Sequence, residues 1–201
     1  MDPRIVRTRQ SLRDALFALA RDHDLDQISI GAIAEQAGVN RSTFYQHYAD
    51  KDTLLADALD AVTDSVVARA DTADHLGPKD AQEILMTYLR HIEKYSALYR
   101  QVLGDTGSAT VQSRVRAHLE GVLASTLEAP EGTVNGLPLN IAAASIAGAA
   151  VGIIRAWLAL GEVPPHTEAG AWIWQMLHQH GALPESIAPE TGQPGSSGKE
   201  R

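Results

Sequence analysis

The run GVNRSTFYQHYADK, residues 38–51, limits the fold more than any other stretch of the chain. Gly38 supplies a turn at a position where φ is often positive. Asn40 and Asp50 are N-cap residue types, and each opens a new helix. Upstream, Ser29 caps a short helix, Ile30 to Ala37, that buries Ile30, Ile33 and Ala34. Two helices this short, joined through a glycine, form the helix-turn-helix pattern. In that pattern the second helix enters the major groove of DNA.

The second helix carries the side chains for that task. Phe44 and Tyr48 are four residues apart and align as a buried pair. Tyr45 then points outward, where its hydroxyl can donate to phosphate; a half-buried core position is its other reading. Arg41 can pair with guanine or sit on phosphate alone, and the residues leave both open. Lys51 follows the cap Asp50 in the first turn of the next helix, where a cation opposes the helix dipole. A phosphate beside it would reverse the sign. Arg4, Arg7 and Arg9 pose the same question at the start of the first helix, with solvated charges as the plain alternative.

The rest of the chain reads as helix. Leu12, Ala15, Leu16 and Leu19 share one face of a first helix, Arg4 to Arg21. A fourth helix follows Asp50 with a stripe of Leu54, Leu55, Ala58, Leu59, Val62 and Val66. Asp80 and Glu83 resemble a capping box before a helix with Ile84, Tyr88, Ile92 and Tyr95 on one face. Ala97 to Leu103 is a short helix, and Val111, Val115, Val122 and Leu123 mark a longer one. Glu128 to Leu139 holds two Pro, one Gly and an Asn-Gly pair, so a loop is expected. Asn140 caps a small-residue helix to about Leu160, and Thr167 a last helix ending near Gly181. No segment shows a convincing period of two. The tail from Pro184 is rich in Pro, Gly and Ser and is expected to be disordered.

The charge and composition exclude several classes. The 201 residues carry a net charge of -8, which counts against nucleic acid if read globally. The distribution matters more. Residues 1–21 hold five Arg against two Asp, while residues 22–50 hold five acids against Arg41. DNA contact therefore depends on a few placed cations. With no Cys, disulfides and thiolate chemistry are excluded. His178 and His180 would face different sides of a helix, and no phosphate loop, nucleophile elbow or carboxylate pair stands out. No enzyme, metal or cofactor is expected. No apolar run reaches 18 residues and no secretion signal is visible, so a soluble cytoplasmic protein without membrane partners is expected.

Residues 28–55, ISIGAIAEQAGVNRSTFYQHYADKDTLL, resemble the helix-turn-helix of the TetR family of transcriptional regulators. The matching elements are Ile33-Ala34, Ala37-Gly38-Val39, Ser42-Thr43-Phe44-Tyr45, His47-Tyr48 and Lys51 with Leu54-Leu55. The resemblance implies an all-α fold of about nine helices. A three-helix helix-turn-helix domain would occupy residues 1–50 and a helical effector-binding and dimerisation domain residues 51–183, before the tail 184–201. It implies a DNA-binding face of Ser29, Asn40, Arg41, Ser42, Thr43, Tyr45, His47 and Lys51. Effector-pocket candidates are Tyr88, His91, Tyr95, Tyr99 and Trp157, although such a stripe also suits a core. Dimer-interface candidates are Ala144, Gly148, Val151, Gly152, Trp172, Ile173 and Met176, for which packing within one chain is the alternative. The expected function is a dimeric repressor that binds a pseudo-palindromic duplex operator and is released by a small-molecule effector. The competing reading is a helical ligand-binding or interaction module that no longer reads DNA.

Overall fold

The computed structural model describes residues 2–70, 78–127, 132–134 and 136–179. The tail 184–201 lies outside them. Among the described residues there are nine helices and one pair of two-residue strands. Helix α1 (Pro3–Leu19) starts with Pro in its first turn, where a missing N–H costs nothing, and Asp2 caps it by accepting from Arg4 N. It buries Leu12, Ala15 and Leu16. A 3-10 turn at Leu25–Gln27 leads to α2 (Ile30–Gln36), and α3 (Arg41–His47) follows.

Helix α4 (Lys51–Ala70) is the long connecting element, packing against α1, α5 (Pro78–Lys94) and α7 (Ala109–Thr126). Helix α6 (Ser96–Leu103) lies on α8 (Leu139–Leu158), and α9 (His166–Gln179) packs on α5 and α8. One apolar cluster runs from Leu12 and Phe44 through Leu55, Leu89 and Tyr99 to Trp157 and Ile173. The helices of the N-terminal end and those beyond α4 thus share a continuous core.

Four boundaries depart from the sequence reading. Asp80 lies inside α5, which opens at Pro78. Pro138 is the residue before α8, so Asn140 is already in the helix. Helix α9 opens at His166, so Thr167, the expected cap, is already inside the helix. The expected irregular loop before α8 contains β1 (Thr133–Val134) and β2 (Leu137–Pro138), paired antiparallel with Val134 opposite Leu137. Gly136, at φ 76, supplies the positive φ that a two-residue hairpin turn needs. Strands this short are set by their turn, and periodicity has nothing to act on.

Helix α8 is long and apolar enough, by composition, to cross a membrane. It instead buries Ala142, Ala143, Ile146, Ala147, Ile154, Trp157 and Leu158 against neighbouring helices. Its other side is uneven: Ile141 is exposed, as is Trp172 of α9.

Candidate functional site

The turn between α2 and α3 is built by backbone geometry. Gly38 adopts φ 69 and its N–H bonds Glu35 O, while Val39 N bonds Ala34 O at 2.9 Å. That pair of bonds is the Schellman closure, which needs a left-handed residue after the helix. It stops α2 and redirects the chain within three residues into α3.

Three caps hold the region as the sequence suggests. Ser29 Oγ accepts from Ala32 N at 3.1 Å. Asn40 Oδ1 accepts from Thr43 N at 2.7 Å and from the hydroxyls of Ser42 (2.6 Å) and Thr43 (2.9 Å). Asp50 Oδ1 accepts from Thr53 N and Oγ1, and the backbone bond from Thr53, the larger effect, holds its carboxyl below the usual range. Ser29 and Asn40 therefore act first on their own helices, and the Ser42 and Thr43 hydroxyls are turned back into the cap.

Helix α3 buries Phe44 and leaves Arg41, Ser42, Tyr45 and Gln46 exposed. Tyr48, expected inside the helix, is the extended residue just past its end, buried with its ring centroid 5.9 Å from that of Phe44. Tyr45 is 50% exposed, its ring edge-on to Phe44 at 5.5 Å. Arg41, Ser42 and Gln46 are exposed and His47 is half-buried. Gln46 adds an amide that the sequence argument left out. Arg41 and Gln46 are side-chain types that bond bidentately to purine edges. Among the described residues, Arg4, Arg7 and Arg41 make no ion pair, so their charge remains available.

Lys51 is placed differently from the expectation. Its Nζ donates to Leu25 O at 2.6 Å and Ile28 O at 3.1 Å. Two of its three donors are thus spent on carbonyls of the segment that leads into α2. The cost of a cation at a helix N-terminus is offset inside the protein, without any phosphate. The same Leu25 gives its N–H to Gln101 Oε1 of α6 at 2.8 Å. Lys51, Leu25 and Gln101 form a chain from α4 through the turn before α2 to α6.

A second link was invisible in sequence. Asp57 of α4 accepts from the Tyr48 hydroxyl at 2.6 Å, from Arg9 Nη2 at 3.4 Å and from Arg13 Nη1 at 3.4 Å. Arg9 Nε also reaches the Tyr48 oxygen at 3.3 Å. Burial, then the bond to Asp57, pushes the Tyr48 phenol up to about 12. Arg9 therefore leaves the expected N-terminal cationic cluster and serves an internal network, while Arg4 and Arg7 stay exposed. Further along α4, Asp60 pairs with Arg114 and Asp64 with His118, both of α7. Burial raises the Asp60 carboxyl above its ordinary value despite those partners.

The effector candidates separate in the same way. His91 and Tyr95 line a cleft of about 530 Å³ between α1, α4 and α5. Tyr99 and Trp157 do not: each is about 1% exposed, and the Trp157 indole donates to Pro164 O at 2.8 Å. Tyr88 is packed against the core and burial raises its phenol. Burial drops His91 to about 4, with Lys94 adding to the shift, so its ring is neutral at physiological pH.

Of the dimer candidates, Ile173 is buried within the chain and Met176 packs against the same core. Ala144, Gly148 and Val151 are half-buried, and Gly152 and Trp172 are exposed. A Cβ added at Gly148 or Gly152 would meet nothing within 4 Å. At Gly170, by contrast, it would strike Met86 Sδ at 2.5 Å. Close helix packing inside the chain explains Gly170 and leaves Gly148 and Gly152 unexplained. His166 bonds Glu93 at 2.7 Å, and no group of three or more metal-ligating side chains occurs among the described residues.

Comparison with known proteins agrees with this geometry. The family model described as bacterial regulatory proteins, tetR family, matches residues 12–58. A second, described as a transcriptional regulator C-terminal region, matches residues 79–171. An uncharacterized HTH-type transcriptional regulator YxbF of Bacillus subtilis (strain 168) is 45% identical over 56 residues. That stretch covers 27% of this chain and 15% of the relative. Among solved structures, the dihydroxyacetone kinase operon activator DhaS aligns with TM-score 0.62 at 18% identity, covering 86% of this chain and 95% of its own. The Thermus thermophilus FadR repressor in complex with lauroyl-CoA aligns with TM-score 0.58 at 16% identity, covering 93% and 99%. At these identities the two structures show a shared fold.

Proposed function

Because this chain belongs to the TetR family of bacterial regulatory proteins and is a DNA-binding transcriptional regulator rather than an enzyme, we propose that it acts as a dimeric repressor released from its operator by a small molecule. The observation that carries the DNA reading is the division of α3: Phe44 locked beneath, with Tyr48 buried just past its end, and Arg41, Tyr45 and Gln46 presented outward. In the major groove, Arg41 and Gln46 would read base edges, while Tyr45 and His47 hold phosphate. Arg4 and Arg7 would add phosphate contacts from α1. Ser29, Asn40 and Lys51 would act mainly by fixing the two helices at the angle the groove requires.

The unexplained Gly148 and Gly152 support dimerisation through α8 and α9. A second copy pressing on that stripe gives the missing reason for two small residues on an apolar face that Ile141 and Trp172 extend. The pair then presents two copies of α3, and a two-fold operator follows from the symmetry. Repression by occupancy requires nothing beyond DNA binding. Binding a chromosomal duplex would require a cytoplasmic location.

Release would be a population shift. An effector preferring one packing of α4, α5 and α6 moves the turn before α2 through Gln101 and Leu25, and α3 through Asp57 and Tyr48. Selection of bound sequences from a random duplex pool, followed by mobility shift, tests the proposal. A pseudo-palindrome bound far more tightly than random duplex, and lost with Arg41→Ala, is the expected outcome. Equal retention of every duplex at low salt would instead favour a helical module that no longer reads DNA, which the acids of residues 22–50 recommend. A reporter placed behind the selected sequence distinguishes repression from activation.

A further inference from the structure

The cleft between α1, α4 and α5 spans the boundary between the DNA-binding helices and the rest of the chain. It uses a different face of α1 from Leu12 and Leu16. Its α4 wall is formed by Ala58, Ala61, Val62, Ser65 and Val66. Its volume of about 530 Å³ matches the pockets that hold small organic molecules.

The walls specify a chemistry. Phe17, His91 and Tyr95 form one aromatic cluster with ring centroids 4.7–5.1 Å apart. Arg21 and Lys94 both lie over the Tyr95 ring, at 5.9 and 5.3 Å, so a cationic ligand would meet two like charges there. Along the lining, Arg13 and Arg21 face one acid, Asp14, which already accepts from Gln10 at 2.8 Å. Arg13 is shared with Asp57, but Arg21 bonds only the Tyr95 hydroxyl, at 3.4 Å, among the described residues. Two lining residues also hold buried atoms without a hydrogen-bond partner: Arg13 Nε on α1 and His91 Nε2 on α5. Buried polar atoms of this kind are uncommon in folded proteins. In charge, the lining carries two guanidinium groups, Arg13 and Arg21, against the single carboxylate of Asp14.

We propose that this interdomain cleft binds a small organic carboxylate with a flat apolar body, the carboxylate at Arg21 and the body against Phe17, His91 and Tyr95. Binding itself does not depend on the regulator reading; only its consequence for DNA does. A ligand touching α1 and α5 together would fix the DNA-binding helices relative to the rest of the chain.

Calorimetric titration of the full chain with 2-naphthoate, without DNA, tests the site. The carboxylate should bind, and 2-naphthylmethylamine should bind about tenfold more weakly, as the loss of one charge-assisted contact implies. Arg21→Gln should erase that preference. Ala61→Phe should abolish binding of both probes while circular dichroism and the unfolding temperature stay unchanged. No heat at millimolar naphthoate overturns the proposal, as does binding that survives Ala61→Phe or an amine that binds as well as the acid. A mobility shift with and without naphthoate then tests regulation separately. An unchanged shift beside a normal isotherm would remove the regulatory reading and leave the site.

Discussion

Asp57 is the position where one substitution should report most about how α4 holds the DNA-binding helices. Its side chain is 15% exposed and accepts from three donors. The Tyr48 bond, at 2.6 Å to a carboxylate, belongs to the charged class worth about 1.5–3 kcal/mol. The two arginine contacts are long, at 3.4 Å, and Arg9 keeps 32% exposure, so about 0.5 kcal/mol each is the appropriate scale. Asp57→Ala should therefore cost about 2.5–4 kcal/mol, because it also strands the buried Tyr48 proton. Tyr48→Phe should cost less, about 1–2 kcal/mol, since both arginines keep their carboxylate. Urea unfolding at fixed protein concentration and neutral pH, followed by far-ultraviolet circular dichroism, gives both values and the double variant. A coupling energy above about 1 kcal/mol is expected for groups in one network. A loss below about 0.5 kcal/mol for Asp57→Ala, or additive effects, would refute the reasoning and show the network to be incidental.

Other substitutions probe other parts. Lys51→Met should lower stability by about 1–3 kcal/mol, since it leaves the Leu25 and Ile28 carbonyls without their donor. It should alter the salt slope of operator affinity by less than the roughly one unit that a lost phosphate contact brings; a full unit would restore the phosphate role. Gly148→Leu meets open space within the chain, so the helical spectrum should persist while light scattering shifts from dimer to monomer; a retained dimer would move the interface elsewhere. His91 is held near 4 in the folded chain against an ordinary 6.5. Between those values the unfolded chain takes up a proton that the folded chain refuses, so stability falls as pH drops from about 6.5 to 4. The slope is at most about 1.4 kcal/mol per pH unit, reduced where the ring reaches solvent. Unfolding titrations of the parent and of His91→Phe should differ over that window and run parallel above it. For the partly buried Asp60, burial outweighs its partners, so Asp60→Asn should be close to neutral while Arg114→Ala destabilises by leaving the charge unpaired; the reverse order would show the pair to be net favourable.

The local parts of the DNA-binding unit were legible because they are fixed by neighbours in sequence. Ser29, Asn40 and Asp50 cap within three residues of themselves, and Gly38 terminates α2 by its own φ. Phe44 is buried and Tyr45 outward as the helical reading expects, but Tyr48 is buried from an extended residue past the end of α3, so its burial does not follow from four-residue helical spacing. The internal bonds of Lys51 were not legible, because its partners, Leu25 and Ile28, lie more than twenty residues upstream. Neither carbonyl carries any signature in its side chain. Tyr99 and Trp157 share a composition with pocket residues, and only packing showed them closed into the core.

What the sequence determined by itself was therefore the helical character, the turn, the caps and the residue types offered on α3, all consequences of short-range backbone chemistry. Tertiary structure decided which charges stay free. It drew Arg9, Arg13 and Lys51 inward to Asp57 and to bare carbonyls, and left Arg4, Arg7, Arg21 and Arg41 outside ion pairs among the described residues. It also opened the cleft, since the α4 wall from Ala58 to Val66 bounds a cavity only when α1 and α5 are set against it. A charge or a void depends on what long-range packing places beside it, and a one-dimensional pattern does not carry that information.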